Sequence, residues 1–205
     1  ASHSVDGLGG PVTAVAATGT RFTAATGAGA LRTWALNDAA VQTSSPAGVA
    51  PRTTLAWSPD GLTLAAGGPT GQLDIIDADG GLRRSLRDAG AIAGLDWSPA
   101  GDRLISATSS GVTVWRGRRA QRISFDGDAA SVAWSPDDQR VAVGQSDGNV
   151  AVLSTRRGWP TVAALQGHAG PAPAAAWGPT GDTLLTGGAD GDVRTWDARS
   201  GALRA

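Results

Sequence analysis

Two histidines, His3 and His168, are the only imidazoles in this 205-residue chain, which has no cysteine, glutamate, lysine, methionine or tyrosine. Acid–base chemistry would have to rest on those two rings and on eighteen aspartates and seventeen arginines. Gly144-Gln145-Ser146-Asp147-Gly148 has the spacing of a nucleophile elbow. That motif works only where a strand meets a helix and a strained turn exposes the serine. Asp77 with Asp79, and Asp190 with Asp192, have the close spacing of calcium-loop ligands. An EF-hand loop, however, closes with a bidentate Glu at its twelfth position. Without cysteine there is no disulfide, thiolate or Cys-bound metal. The glycine-rich stretches open no helix, so no phosphate cradle is implied. The expectation is therefore no catalytic residue, no metal and no cofactor.

The elements that would position these residues read as short strands. Thirty glycines and eleven prolines interrupt the apolar runs every few residues. Most strong helix formers other than Ala and Leu are missing, so helix is a minor component. The segments Trp57-Ser-Pro-Asp-Gly61, Trp97-Ser-Pro-Ala-Gly101, Trp134-Ser-Pro-Asp-Asp138 and Trp177-Gly-Pro-Thr-Gly181 are one motif, spaced by 40, 37 and 43 residues. A degraded copy lies upstream. Placing Val15 under Trp57 aligns Gly19 with Gly61, Phe22 with Leu64, Gly29 with Gly71 and Trp34 with Ile76.

Within each copy a first strand ends at Trp and Ser-Pro-Asp-Gly makes the turn. Proline presets φ there, Asp bonds back to the backbone and Gly accepts a positive φ. A second strand, a turn at Gly71, Gly111, Gly148 or Gly191, and a third strand ending at Ile76, Trp115, Leu153 or Trp196 follow. The fourth strands are Leu82–Leu86, Ala120–Ser124, Thr161–Leu165 and a C-terminal piece near Ala202–Arg204. On this reading Ser146 sits in a hairpin turn, not on an elbow. The expected fold class is all-β, a β-propeller of five four-stranded antiparallel blades. The repeats run approximately 11–48, 52–88, 92–126, 129–167 and 172–205 of one domain, 1–205. A β-sandwich would give hairpins without the fixed recurrence.

The fifth copy, with Gly167-His168, Trp177 and Leu184-Leu-Thr-Gly-Gly-Ala-Asp-Gly-Asp-Val-Arg-Thr-Trp-Asp197, resembles the WD-repeat family. That family ties each blade with a relay of His, Ser or Thr, Asp and Trp. The resemblance assigns those roles to His168, Thr186, Asp190 and Trp196. In the fourth copy Phe125 stands at the histidine position and Asp147 keeps the aspartate role. The first three copies have no histidine there, with Thr70 and Ser110 near the aspartate position. Those four blades are expected to rely on packing. The compositional bias resembles that of high-GC bacterial proteins, and Ser-Pro-Asp-Gly with a weak relay also resembles periplasmic Tol-type propellers. A cytoplasmic location is expected, the periplasm being the alternative.

The net charge of -1 gives no ground for nucleic-acid or membrane affinity. No apolar run approaches the ~20 residues that span a bilayer. The arginines are nevertheless uneven. Arg83, Arg84 and Arg87 flank or occupy the fourth strand of the second repeat. Arg116, Arg118, Arg119 and Arg122 do so in the third, and Arg156 with Arg157 in the fourth. Charge on an outer strand defends its edge against aggregation; it could equally dock an acidic partner. The functional expectation is a non-catalytic protein-interaction scaffold or sensor that pairs with itself or with other blades. A propeller hydrolase or lyase and an engineered repeat protein without cellular role stay open as alternatives.

Overall fold

The computed structural model of the chain describes residues 10–35, 38–45, 50–124 and 127–204. It is an all-β propeller fold whose five blades are meanders, each strand hydrogen-bonded to its neighbours in sequence. The first blade comprises β1 (Val12–Thr18), β2 (Arg21–Thr26), β3 (Leu31–Ala35) and β4 (Asp38–Ser45). The second comprises β5 (Thr54–Trp57), β6 (Thr63–Gly67), β7 (Gln72–Asp77) and β8 (Leu82–Arg87). The third has β9 (Ile92–Trp97), β10 (Leu104–Thr108), β11 (Gly111–Arg116) and β12 (Arg119–Ile123). The fourth has β13 (Ala129–Trp134), β14 (Arg140–Gln145), β15 (Val150–Ser154) and β16 (Thr161–Leu165). The fifth has β17 (Ala174–Trp177), β18 (Thr183–Gly187) and β19 (Val193–Asp197). The chain divides into two compact units, Ala1–Ile92 and Ala93–Ala205.

The fifth blade corrects the expectation of five four-stranded sheets, because among the described residues it has three strands. Its C-terminal piece makes only the single bridge Trp196↔Leu203. The cause is local. Asp197 gathers the N–H groups of Arg199 and Ser200, and Gly201 takes φ 73°. The returning chain therefore spends its first residues in a tight turn.

The turn chemistry explains the repeat. In the second blade the Gly61 N–H donates to the Ser58 carbonyl at 2.8 Å, with φ 67° at Gly61. Ser58 Oγ donates to Asp60 Oδ1, which also accepts the Leu62 N–H at 3.0 Å. The fourth copy lacks the glycine, and Asp138 itself adopts φ 60°, a conformation Asp tolerates better than most residues. The four motif tryptophans all end first strands. Trp57 and Trp134 are buried, Trp97 and Trp177 half-buried.

Strand register corrects the alignment of the degraded copy. Trp57 pairs with Leu64, Trp134 with Val141 and Trp177 with Leu184. In the first blade the partner of Phe22 is Ala17, so Ala17 and not Val15 stands where tryptophan stands elsewhere. The Thr18↔Arg21 pair closes a two-residue turn at Gly19-Thr20, two residues shorter than in the other copies.

Apolar alternation then builds cores between blades. In the first unit Leu31, Leu55, Trp57, Leu64 and Ile76 cluster. In the second, Ile105, Val112, Val132, Trp134, Val141, Val143 and Leu153 join the third blade to the fourth. Val150, Val152, Leu165, Leu184 and Trp196 join the fourth to the fifth. Inner strands such as β14 and β15 are buried almost throughout, as two covered faces require.

Arginines repeat this inter-blade joint. Arg21 donates to the Gly61 carbonyl at 3.3 Å, Arg103 to Asp138 at 2.6 Å and Arg140 to the Gly181 carbonyl at 2.8 Å. Each reaches the first hairpin turn of the next blade. The Arg103 and Arg140 guanidiniums also lie 4.7 and 5.2 Å from the Trp134 and Trp177 ring centroids, a cation–π geometry.

Candidate functional site

The four relay positions come together in the fifth blade. His168 Nδ1 lies 3.0 Å from Asp190 Oδ1, and Nε2 lies 2.8 Å from Thr186 Oγ1. Trp196 Nε1 donates to the same Thr186 hydroxyl at 2.9 Å. One assignment satisfies every partner: the indole donates to Thr186, its hydroxyl donates to Nε2, and Nδ1–H donates to Asp190. Arg194, which no motif singled out, adds a hydrogen bond to Asp190 at 2.7 Å. The guanidinium of Arg194 and the Ala169 N–H hold the Asp190 carboxyl well below the usual carboxylate range. Gly188 is required beside this cluster, since a Cβ there would stand 2.2 Å from His168 Nδ1.

Replacing His168 by Ala is expected to lower stability by about 1–3 kcal/mol, because a buried hydroxyl and a carboxylate each lose a partner. Denaturant unfolding reads this directly. A loss below about 0.5 kcal/mol would make the relay energetically idle.

The expectation that the other blades rely on packing alone needs correction. In the third blade Trp115 Nε1 donates to Ser106 Oγ at 2.8 Å, the same indole-to-hydroxyl step without the imidazole. In the second, Arg52 enters from the segment before β5. It donates to Asp74 Oδ2 at 2.8 Å and to the Gly29 carbonyl of the first blade at 2.6 Å. Gln72 and Ser85 complete the Asp74 carboxylate. Asp147 bonds Asn149 within its own hairpin, and Thr70 Oγ1 accepts the Gln72 N–H at 3.4 Å. Phe125, at the histidine position of the fourth copy, and His3 lie outside the described residues.

Ser146 is exposed in the β14–β15 hairpin, its N–H bonded to the Asp128 carbonyl. Both ring nitrogens of His168 are engaged elsewhere. Asp77 and Asp79 organise the β7–β8 turn, where Gly80 N–H donates to the Asp77 carbonyl and Gly81 N–H to Asp79 Oδ1. Asp190 Oδ1 likewise accepts the Asp192 N–H. Among the described residues no group of three or more histidines and aspartates could hold a metal ion.

The arginines separate into distinct settings. On β8, Arg83 pairs with Asp77 at 2.6 Å, Arg84 is half-buried and Arg87 is exposed. In the second unit a cleft of about 480 Å³ opens between the third and fourth blades. Arg116 and Arg119 of the third blade line it, with Arg156 and Arg157 of the β15–β16 turn on the fourth, and Arg103 beside them. Val114 and Trp159 add apolar surface. Arg118 and Arg122 are exposed outside it, Arg122 bonding the Ser110 carbonyl.

Within this cleft Arg103 is paired with Asp138 and Arg116 with Asp102. Arg119, Arg156 and Arg157 have no carboxylate partner among the described residues. The turn that carries the last two is held firmly. Trp159, at φ 51°, is buried edge-on against Trp134 at 5.9 Å, and its N–H donates to the Arg156 carbonyl. Thr155 bonds the Asp138 carbonyl through Oγ1 and the Gln139 carbonyl through N–H. A non-glycine residue in this region persists only where its surroundings fix it.

Comparison with known proteins fits this architecture. Residues 121–153 and 159–197 match the family model of the WD domain, G-beta repeat (WD40). These two segments, in the third to fifth blades, are thus similar to WD repeats. Over 125 residues it is 26% identical to the angio-associated migratory cell protein of Homo sapiens, a stretch covering 58% of this chain and 29% of that protein. The Pongo abelii protein matches equally. The β-propeller domain of Myceliophteria thermophila Cps50 (Swd1) superposes with a TM-score of 0.82 at 16% identity, over 92% of this chain and 65% of that one. The chain therefore spans under a third of the length of those curated relatives and about two thirds of that propeller domain. No helix among the described residues is long and apolar enough to cross a membrane.

Proposed function

We propose that this chain is a non-catalytic protein-interaction scaffold whose docking surface for an acidic protein partner is the arginine cleft between the third and fourth blades. The observation that carries this reading is the set of three guanidiniums, Arg119, Arg156 and Arg157, that have no carboxylate partner among the described residues and share a cleft with Trp159. Asp138 and Asp102 balance two of the five cleft arginines; the excess like charges repel one another, and an anionic partner relieves that repulsion. Arginine also recognises carboxylates bidentately. Edge protection explains charge on β12, but does not require Arg156 and Arg157 to face it from a rigid turn. Affinity for an acidic peptide should fall at least tenfold between about 50 and 500 mM salt, as exposed charges are screened. Binding indifferent to salt, or mapped to the β8 arginines, would remove the cleft from the account.

The same scaffold reading includes association with a second copy. In the first unit Val12 and Val15 of β1 are exposed, Val15 to 71%. In the second, Leu185 and Val193 of the fifth blade are exposed, Val193 to 69%. Open sheet faces of this kind are surfaces for further blades. Light scattering should give a mass of about twice the 20.4 kDa of the chain or more. A monodisperse monomer at tens of micromolar would contradict self-association and leave the cleft untouched.

A further inference from the structure

We infer that the acidic partner binds as an extended strand added to the outer edge of β12, so that backbone pairing and carboxylate–arginine contacts act together. The inference rests on the scaffold reading above and adds the conformation and chemistry of the ligand. β12 is the edge strand of its sheet, bonded to β11 on one side with no strand beyond it among the described residues. An edge of this kind presents a row of free N–H and C=O groups.

Three consecutive residues of β12, Arg119, Ala120 and Gln121, line the cleft. Side chains alternate along a strand, so a strand showing one face would contribute every second residue. Arg119 and Gln121 line the cleft together with their register partners Arg116 and Val114, so one face of the β11–β12 pair borders it, and Ala120 between them brings the edge backbone to it. The far wall is the Arg156-Arg157 turn. A strand laid against β12 would hold its outward carboxylates opposite those guanidiniums. The ligand class is an extended peptide with acidic residues at alternate positions. Strand addition of this kind draws affinity from the main chain and specificity from alternate side chains. A free phosphate would use the arginines and leave the open edge idle.

The probe is a capped ten-residue peptide of alternating aspartate and valine, with two derivatives N-methylated at every valine amide or at every aspartate amide. The N–H groups of an extended peptide point alternately to its two edges, and β12 can use one edge only. The expected result is that one derivative loses at least tenfold in affinity while the other stays within about threefold of the parent. Hydrogen exchange should slow at the β12 amides on addition of the parent peptide. If both derivatives bind as the parent does, with salt-sensitive affinity, the acidic-partner reading stands and strand addition is overturned. If both weaken equally, strand addition is overturned as well. If the parent itself fails to bind at low salt, both readings fall.

Discussion

Replacing Arg52 by alanine is expected to lower the stability of the chain by about 3–5 kcal/mol, the usual cost of breaking one side of a buried ion pair. The guanidinium and the Asp74 carboxylate are almost fully enclosed, with side-chain exposures of 6% and 3%. Removing Arg52 would leave Asp74 with only the neutral donors of Gln72 and Ser85. It would also strip the Gly29 carbonyl of its donor and so loosen the first blade from the second. For a chain of this size the loss corresponds to a melting temperature lower by roughly 6–20 °C. Replacing Asp74 by Asn in the same chain should recover part of it, because the stranded charge is gone. A drop below about 1 kcal/mol in urea unfolding would show that Asp74 finds water or another donor.

The second large effect is on pH dependence. Asp96 lies between the first strands of the third and fourth blades, and burial pushes its carboxyl up to about 6 against the opposing pull of the Trp134 and Trp97 N–H groups. These donate to it at 2.6 and 2.8 Å. The folded state therefore holds its proton to higher pH than the unfolded chain, whose ordinary value is 3.8. Stability from this group is fully present below about pH 4 and is lost as pH rises through about 6, by about 3 kcal/mol in all. Asp60, Asp102, Asp137, Asp190 and Asp197 are shifted downward and act in the opposite sense at lower pH. The comparison of wild type with Asp96→Asn between pH 4.5 and 7.5 isolates this half-buried group. The wild type should lose stability relative to the variant across that interval. A constant difference would show that Asp96 ionises normally.

The blades were legible because a turn must be made of particular residues. Ser-Pro-Asp-Gly fixed the hairpins, and apolar alternation between those turns supplied the strands. The first blade misled because Gly19-Thr20 turns as tightly with two fewer residues, which moves the tryptophan position to Ala17. The relay residues of the fifth blade were nameable through family likeness, whereas Arg194 carried no signal beyond being an arginine two residues before Trp196. Arg52 and Asp74 were invisible for another reason: their pairing crosses blades, and no local spacing predicts a contact 22 residues apart. Arg103 and Arg140 could have been found, since each follows its motif serine by five residues. The cleft itself was half legible. The arginine excess stood in the sequence, but Trp159 gave no hint that it would lock the turn presenting two of them.

The most direct measurement is calorimetric titration of an acidic peptide into the wild-type chain and into a triple variant carrying Arg119→Asp, Arg156→Asp and Arg157→Asp, each with its melting temperature recorded. The three side chains are exposed, so the variant should melt within a few degrees of the wild type. The account predicts that it loses at least a hundredfold in affinity, about 2.7 kcal/mol. Retained affinity in a variant that melts like the wild type would contradict the claim that this cleft is where the scaffold takes its partner.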